Sequence, residues 1–305
     1  MIPTLPLPDR TVLLDGGMGR ELRHRGVPIL DTIWSANALL VAPEVVRDVH
    51  RDYLESGAEI ITTNTYGVIR KELAKEGVEH RFAELNRLAG ALAQEARRKS
   101  GRQAWIAGSL PPLQGSYRPD LVGAYAEIEP RYEEQATLLA PHCDLMLCET
   151  MSSAAEALAA ATAAAKTGLP VWVSWSLHED NSGRLRSGES VTEAAKAIAH
   201  LPVSAFLVNC CSPESIGAAM PELARLGGAA GGYANAFRPV PKDWVMDRDG
   251  LLPLRDDLDP EHYARHAADW RAKGARIVGG CCGTGPGHIA RLHEDFAKAP
   301  AGGHA

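Results

Sequence analysis

The 305-residue chain is expected to fold as a (β/α)8 barrel with its functional site at the C-terminal mouth of the strands. Three observations carry this expectation. Eight short apolar runs alternate with helical stretches along the chain. The runs are continuous rather than polar/apolar alternations, as parallel strands covered on both faces are. Polar residues collect at the C-terminal end of nearly every run: Asp15, Asn64, Ser109, Glu149, Asn209, Asn235 and several cysteines. In a barrel those ends converge on one mouth, where active sites sit. A doubly wound open sheet is the alternative arrangement of the same alternation.

In chain order, TVLLDGG (11–17) is the first strand. The helix that follows over 43–58 is opened by Pro43 and closed by Gly57, the usual start and stop residues. AEIITTN (58–64) precedes an amphipathic stretch at 80–99. AWIAGSL (104–110) precedes 123–140, where Pro130 is expected to break or kink the helix. DLMLCET (144–150) leads to an alanine-rich helix at 153–168, VWVSWSL (171–177) to one at 190–200, and AFLVNCC (205–211) to one at 212–227. GGYAN (231–235) with 259–275, and RIVGGCC (276–282) with 285–299, complete eight pairs. A barrel of this kind takes about 250 residues before insertions. The chain 1–305 therefore reads as a single domain with its core over about 11–298 and a frayed tail, APAGGHA, at 299–305. The Pro-rich segment 235–257 is a long loop after the seventh strand, of the sort that carries function.

The formal net charge of -6 is mild, so no electrostatic hold on nucleic acid or a membrane surface is expected. No apolar run is long enough to span a bilayer. The start, MIPTLPLPDR, has neither the charged nor the apolar region of a secretory signal. A cytoplasmic protein is the simplest reading. There thiols stay reduced, and clustered cysteines mean metal or catalysis more often than disulfides. The assembly state, monomer or homo-oligomer, is left open.

The chain has six cysteines, and two of them, Cys281 and Cys282, are adjacent in RIVGGCCGTGPGH. Successive strand residues point to opposite faces, so two neighbouring thiols reach one metal only where a strand ends and bends. Gly279, Gly280, Gly283 and Gly285 permit that bend. LVNCCSP, ending the sixth run, brings Cys210 and Cys211 to the same mouth. One of that pair is expected as a third ligand. Three thiolates make a zinc site with one open position, which suits catalysis, whereas structural sites are closed by four protein ligands. Spacing alone leaves ordinary buried cysteines equally open, because ligands on separate strands carry no local motif. Cys143 and Cys148 read as small core hydrophobes.

LLDGGMGREL, SGAEIITTNTYG, CET, VNC and GGCCGT occur in this order and together resemble the homocysteine S-methyltransferase family, over about residues 11–293. The resemblance implies a zinc-bearing barrel that methylates a thiol. It implies zinc on Cys210, Cys281 and Cys282, since the family cysteine directly follows the asparagine, and leaves Cys211 without a role. The acceptor thiol of homocysteine would enter the open position and be deprotonated there. Asp15 and Glu149 match family positions that hold the amino-acid end, with a carboxylate for the ammonium and the Gly16 and Gly17 amides for the carboxylate. Asn235 resembles a family asparagine and is a candidate displaceable oxygen ligand, with plain strand capping as the alternative.

A direct methyl donor needs a cationic leaving group, and aromatic faces recognise such cations. Trp34 with Ser35, and Tyr66 with Asn64, sit after the first two strands at the presumed mouth. Trp175 is a further aromatic near the end of the fifth run, where packing is the simpler role. Arg238 is a candidate partner for a donor carboxylate or a plain loop arginine. Within the resemblance S-methylmethionine is the favoured donor, with betaine and dimethylsulfoniopropionate as alternatives. The family's YPN or YAN loop here continues AFRPVP, a departure at Phe237 and Arg238 that bears on the donor. Three other readings remain open: a different thiol or selenol acceptor, a subunit working with a corrinoid protein, and a non-catalytic zinc barrel.

Overall fold

The computed structural model describes residues 3–240 and 252–296. The expected frayed tail and the centre of the Pro-rich loop lie outside the described residues. Eight parallel strands form one sheet: β1 (Val12–Leu13), β2 (Ile60–Thr62), β3 (Trp105–Leu110), β4 (Leu145–Met151), β5 (Val171–Trp175), β6 (Val203–Asn209), β7 (Ala229–Ala234) and β8 (Ile277–Gly280). From β2 to β8 each strand pairs with the next in sequence, and β1 pairs with β8. The seam between β1 and β2 is stitched by Glu59 N–H to the Leu13 carbonyl at 2.8 Å and Asp15 N–H to the Ile60 carbonyl at 2.9 Å. The fold is the expected (β/α)8 barrel.

Three short helices, α1 (Met18–His24), α2 (Ala36–Val41) and α4 (Arg70–Lys75), decorate the loops after β1 and β2. The outer ring is α3 (Pro43–Glu55), α5 (Phe82–Ser100), α6 (Tyr125–Leu139), α7 (Ala154–Ala165), α8 (Val191–Ala197), α9 (Pro213–Leu223), α10 (Pro260–Ala272) and α11 (Pro286–Phe296). Pro43 opens α3 as expected, and a capping box between Ser190 and Glu193 opens α8. Of the break or kink expected at Pro130, the break does not occur: α6 runs through it. Pro130 is exposed near the helix start, and Ile128, Tyr132, Ala136 and Leu139, all buried, hold the inner face. Each large side chain buried there contributes about 1.5–3 kcal/mol, which outweighs one missing amide bond. No described helix is long and apolar enough to cross a membrane.

The strands alternate cleanly between two cores. Val12, Leu14, Leu145, Leu147, Trp172, Ala205, Leu207, Tyr233 and Ile277 fill the barrel, with Leu5 and Leu7 of the N-terminal segment packed against this inner cluster. Leu13, Met146, Cys148, Val173, Trp175, Phe206, Val208 and Val278 face the helices. This period of two decides several side chains at once. Cys148 and Trp175 belong to the outer core. The series Leu145, Leu147 leads inward to Glu149, and Ala107 leads to Ser109.

Candidate active site

β6 ends at Asn209, whose side chain ties three strand tips together. Its Oδ1 accepts from the Thr150 N–H at 2.9 Å and the Ser174 hydroxyl at 2.7 Å, and its Nδ2 donates to Thr150 Oγ1 at 2.8 Å. The next residue, Cys210, takes a left-handed backbone with φ of 52°, a conformation costly for a residue with a Cβ and held only by its surroundings. Here the Tyr233 carbonyl accepts the Cys210 amide at 3.2 Å, and the Ser176 hydroxyl donates to the Cys210 carbonyl at 3.3 Å. The turn separates the adjacent pair. Cys210 joins the mouth, whereas Cys211 is wholly buried in the outer core, where burial pushes its thiol far above the ordinary range.

The other pair leaves β8 where the strand has ended. Cys281 donates its amide to the Ala234 carbonyl at 2.9 Å, and the Cys282 carbonyl accepts from Ala236 at 2.8 Å. The tip of β1 passes close by: a Cβ on Gly17 would lie 2.5 Å from the Cys281 carbonyl oxygen, so only glycine fits there. The Sγ atoms of Cys210, Cys281 and Cys282 lie within 4.8 Å of one another, with 3.0 Å between Cys210 and Cys281. Tetrahedral coordination with metal–sulfur bonds of about 2.3 Å separates sulfurs by about 3.8 Å. The three thiols therefore fit one thiophilic ion, with a fourth position that no His, Cys, Asp or Glu among the described residues fills. Cys143 and Cys148 stand apart from this group, and burial raises the Cys143 thiol to about 12.

Two carboxyl groups face the same cavity. Asp15 accepts from Thr62 N–H at 2.7 Å and from the Thr62 hydroxyl at 3.0 Å. Glu149 accepts from the Ser109 hydroxyl and, at 3.2 Å, from the Tyr233 hydroxyl. Both are buried, with 5% and 7% exposure, and among the described residues neither forms an ion pair. Burial pushes Asp15 up to about 8 and Glu149 up to about 7, against hydrogen bonds that pull the other way. A pair of buried carboxyls without a cation has the chemistry to accept one.

The remaining wall is aromatic and polar. Trp34 and Tyr66 line the cavity with Ser35 and Asn64, and so do Gly16, Gly17, Tyr117, Tyr233 and Phe237. Trp34 has φ of 49°, and a Cβ on Gly19 would meet its indole at 2.5 Å, so Gly19 makes room for the ring. Tyr66 hydrogen-bonds Ser116 at 2.7 Å, and Asn64 donates to the Ser35 carbonyl at 2.9 Å while its Oδ1 keeps no protein partner. Four candidate residues stand elsewhere or are otherwise engaged, Trp175 and Arg238 in the packing and loop roles that were the simpler expectation. The Gly17 amide is committed to the Thr284 carbonyl at 2.9 Å rather than free for a carboxylate. Asn235 is buried outside the cavity lining, with its Oδ1 capping the Phe237 N–H at 3.1 Å. Trp175 stacks on Phe206 in the outer core at 6.0 Å. Arg238 is exposed beside Asp256.

A family model described as homocysteine S-methyltransferase matches residues 12–296. The chain belongs to the homocysteine S-methyltransferase family. It is 31% identical over 310 residues to the homocysteine S-methyltransferase of Escherichia coli (strain K12), spanning 92% of this chain and 94% of that protein. It is 28% identical over 315 residues to homocysteine S-methyltransferase 4 of Zea mays, spanning 94% and 90%. Among solved structures, the metallated form of the homocysteine methyltransferase MmuM from Escherichia coli matches with a TM-score of 0.79 at 28% identity, covering 94% of this chain and 96% of that one. The protein is thus a methyltransferase of this family, acting on small molecules.

Several cavity residues carry no motif in the sequence. Tyr233 and Thr62 are strand residues whose inward direction follows only from register. Ser116 and Tyr117 come from the loop after β3, PPLQGSYRPD, where the signal was an aromatic among turn residues in a long connection at the mouth. The Phe237 departure from the family loop does reach the cavity wall; Arg238 does not.

Proposed function

We propose that the protein transfers a methyl group from a small cationic donor, S-methylmethionine first, to the thiol of homocysteine, giving methionine, with zinc held by Cys210, Cys281 and Cys282. One observation carries this reading: three converging sulfurs stand in the same cavity as two buried carboxyls that lack a cation. Three soft thiolates suit zinc, and the metallated state of the MmuM relative supports a metal in this fold. Zinc, when bound, supplies a Lewis acid that holds the acceptor sulfur as a thiolate at neutral pH.

The chain's own residues do the rest by holding and orienting. Asp15 and Glu149 take the acceptor's ammonium, and the arriving cation restores the ionised state that burial opposes. The Asn64 Oδ1 offers a further acceptor. Trp34, Tyr66 and Phe237 exclude water and present aromatic faces to the donor cation. Methyl transfer forms one carbon–sulfur bond as the donor's carbon–sulfur bond breaks, and the leaving group departs as a neutral thioether. With S-methylmethionine both products are methionine, so the proposed reaction is one of methionine biosynthesis. Positioning of the two sulfurs about the methyl carbon is the main contribution asked of the protein.

The test is a methyl-transfer assay on zinc-replete, reduced protein with homocysteine. S-Methylmethionine, betaine, dimethylsulfoniopropionate, S-adenosylmethionine and methylcobalamin are offered separately, and methionine is followed by mass spectrometry. Methionine from S-methylmethionine is the expected result. Silence with every donor from protein that holds zinc contradicts the reading.

A further inference from the structure

A buried ionic chain runs up to one sulfur of the trio. Glu179 and Arg186 pair at 3.1 Å with side-chain exposures of 9% and 3%, in the loop that follows β5. Glu179 is fixed from its other oxygen by the Ser212 N–H at 2.8 Å. The Arg186 amide donates to the Ser176 carbonyl at 3.1 Å, so the base of this loop is tied to the residue whose hydroxyl holds the Cys210 carbonyl. The guanidinium lies over the ring of Tyr117, 4.8 Å from its centroid. Tyr117 is buried, takes a left-handed backbone with φ of 64°, and sets its hydroxyl 2.9 Å from Cys210 Sγ.

A charged guanidinium is costly to bury, and one ion pair does not require it to sit on an aromatic face. A strained backbone at Tyr117 likewise needs a reason. Both features serve one geometry. A metal-bound thiolate can only accept, so the O–H of Tyr117 is the donor in that contact. The cation over the ring draws electron density from the phenol and strengthens it as a donor.

We propose that Tyr117, held in place by Arg186 and Glu179, is a positioning residue that hydrogen-bonds the Cys210 sulfur and damps its electron donation to the bound metal. The consequence is chemical as well as structural. A protein sulfur whose lone pair is engaged is a poorer nucleophile, so the methyl group goes to the acceptor rather than to Cys210. Partners of this sort typically change metal affinity by about 10- to 100-fold when removed. The proposal rests on the reading that the three cysteines hold a metal.

The test uses cobalt(II) as a spectroscopic stand-in on the full chain. Tyr117→Phe keeps the ring under Arg186 and removes only the hydroxyl. The sulfur-to-cobalt charge-transfer band is expected to move to longer wavelength, and chelator competition to show metal held about tenfold more tightly, because the freed sulfur donates more strongly. Site-specific 3-fluorotyrosine at 117, a stronger donor of nearly the same shape, moves the band the other way and keeps the test alive should the Phe variant fold poorly. Cobalt uptake with a band and affinity unchanged in the variants overturns the role of Tyr117 alone. A parent protein that takes up no cobalt overturns the metal reading and this one together.

Discussion

The two sides of the cavity are built by different rules. On the β6–β8 side, the sulfurs sit directly on strand tips, and their positions are set by ladder bonds, the Asn209 bridge and a close glycine contact. On the β1–β3 side, the wall is aromatic and is delivered by loops: Trp34, Tyr66 and Tyr117 lie beyond their strands, among short helices. Strand-borne groups are held to the tolerance of the sheet, whereas loops vary without disturbing it. Under the proposed function, the groups that would activate the acceptor are anchored, and the surface that would choose the donor is adjustable. Phe237, where the sequence departs, is loop-borne as well, but it follows β7 and so stands on the side that carries the sulfurs.

The comparison is broken most severely on the anchored side. Cys282→Ser removes one of three ligands, and bound metal measured by native mass spectrometry should fall to background, with activity down by more than about 100-fold. Next comes Glu149→Gln, which leaves the acceptor's ammonium with one carboxyl fewer. A lost buried charge partner costs about 2–5 kcal/mol, or roughly 30- to 4,000-fold in kcat/KM for homocysteine.

The same variant should gain stability. Glu149 is held at about 7 in the fold against an ordinary value of 4.5, so its contribution is fully present below the lower value and lost as pH rises through the higher one. Above pH 7 the substrate-free Gln variant should exceed its parent by on the order of 3 kcal/mol, with no difference near pH 4. Denaturant melts at the two pH values check the sign.

On the loop side the effects are smaller and selective. Trp34→Ala should raise the donor KM by about tenfold through loss of a desolvated cation–aromatic contact, with the homocysteine KM changed far less. Paired KM measurements separate the two substrates. Cys211→Ala should change least: metal content as in the parent, and stability lower by about 1 kcal/mol from one trimmed core side chain.

The barrel was legible because continuous apolar runs and polar tips repeat eight times. What the pattern could not tell was which face each residue takes. Trp175 and Cys148 were expected in the core, and the register shows which core by turning both to the helices. Cys210 and Cys211 are chemically identical in the sequence, and only the left-handed turn at Cys210 distinguishes them; the family resemblance, not spacing, selected the right one of the pair to meet Cys281. The helices α1, α2 and α4 are two turns or fewer, too short to show an amphipathic period. Tyr117 was invisible because a loop's reach is set by its tertiary seat, here the buried Arg186.

The central claim is that the three cysteines leave a metal position into which the acceptor sulfur enters. X-ray absorption at the zinc edge, on protein before and after addition of homocysteine without donor, tests it most directly. The account predicts that the number of sulfur neighbours rises from three to four, and that Glu149→Gln needs more homocysteine to reach the same change. A sulfur count that stays at three under saturating homocysteine, in protein that turns over, would contradict it.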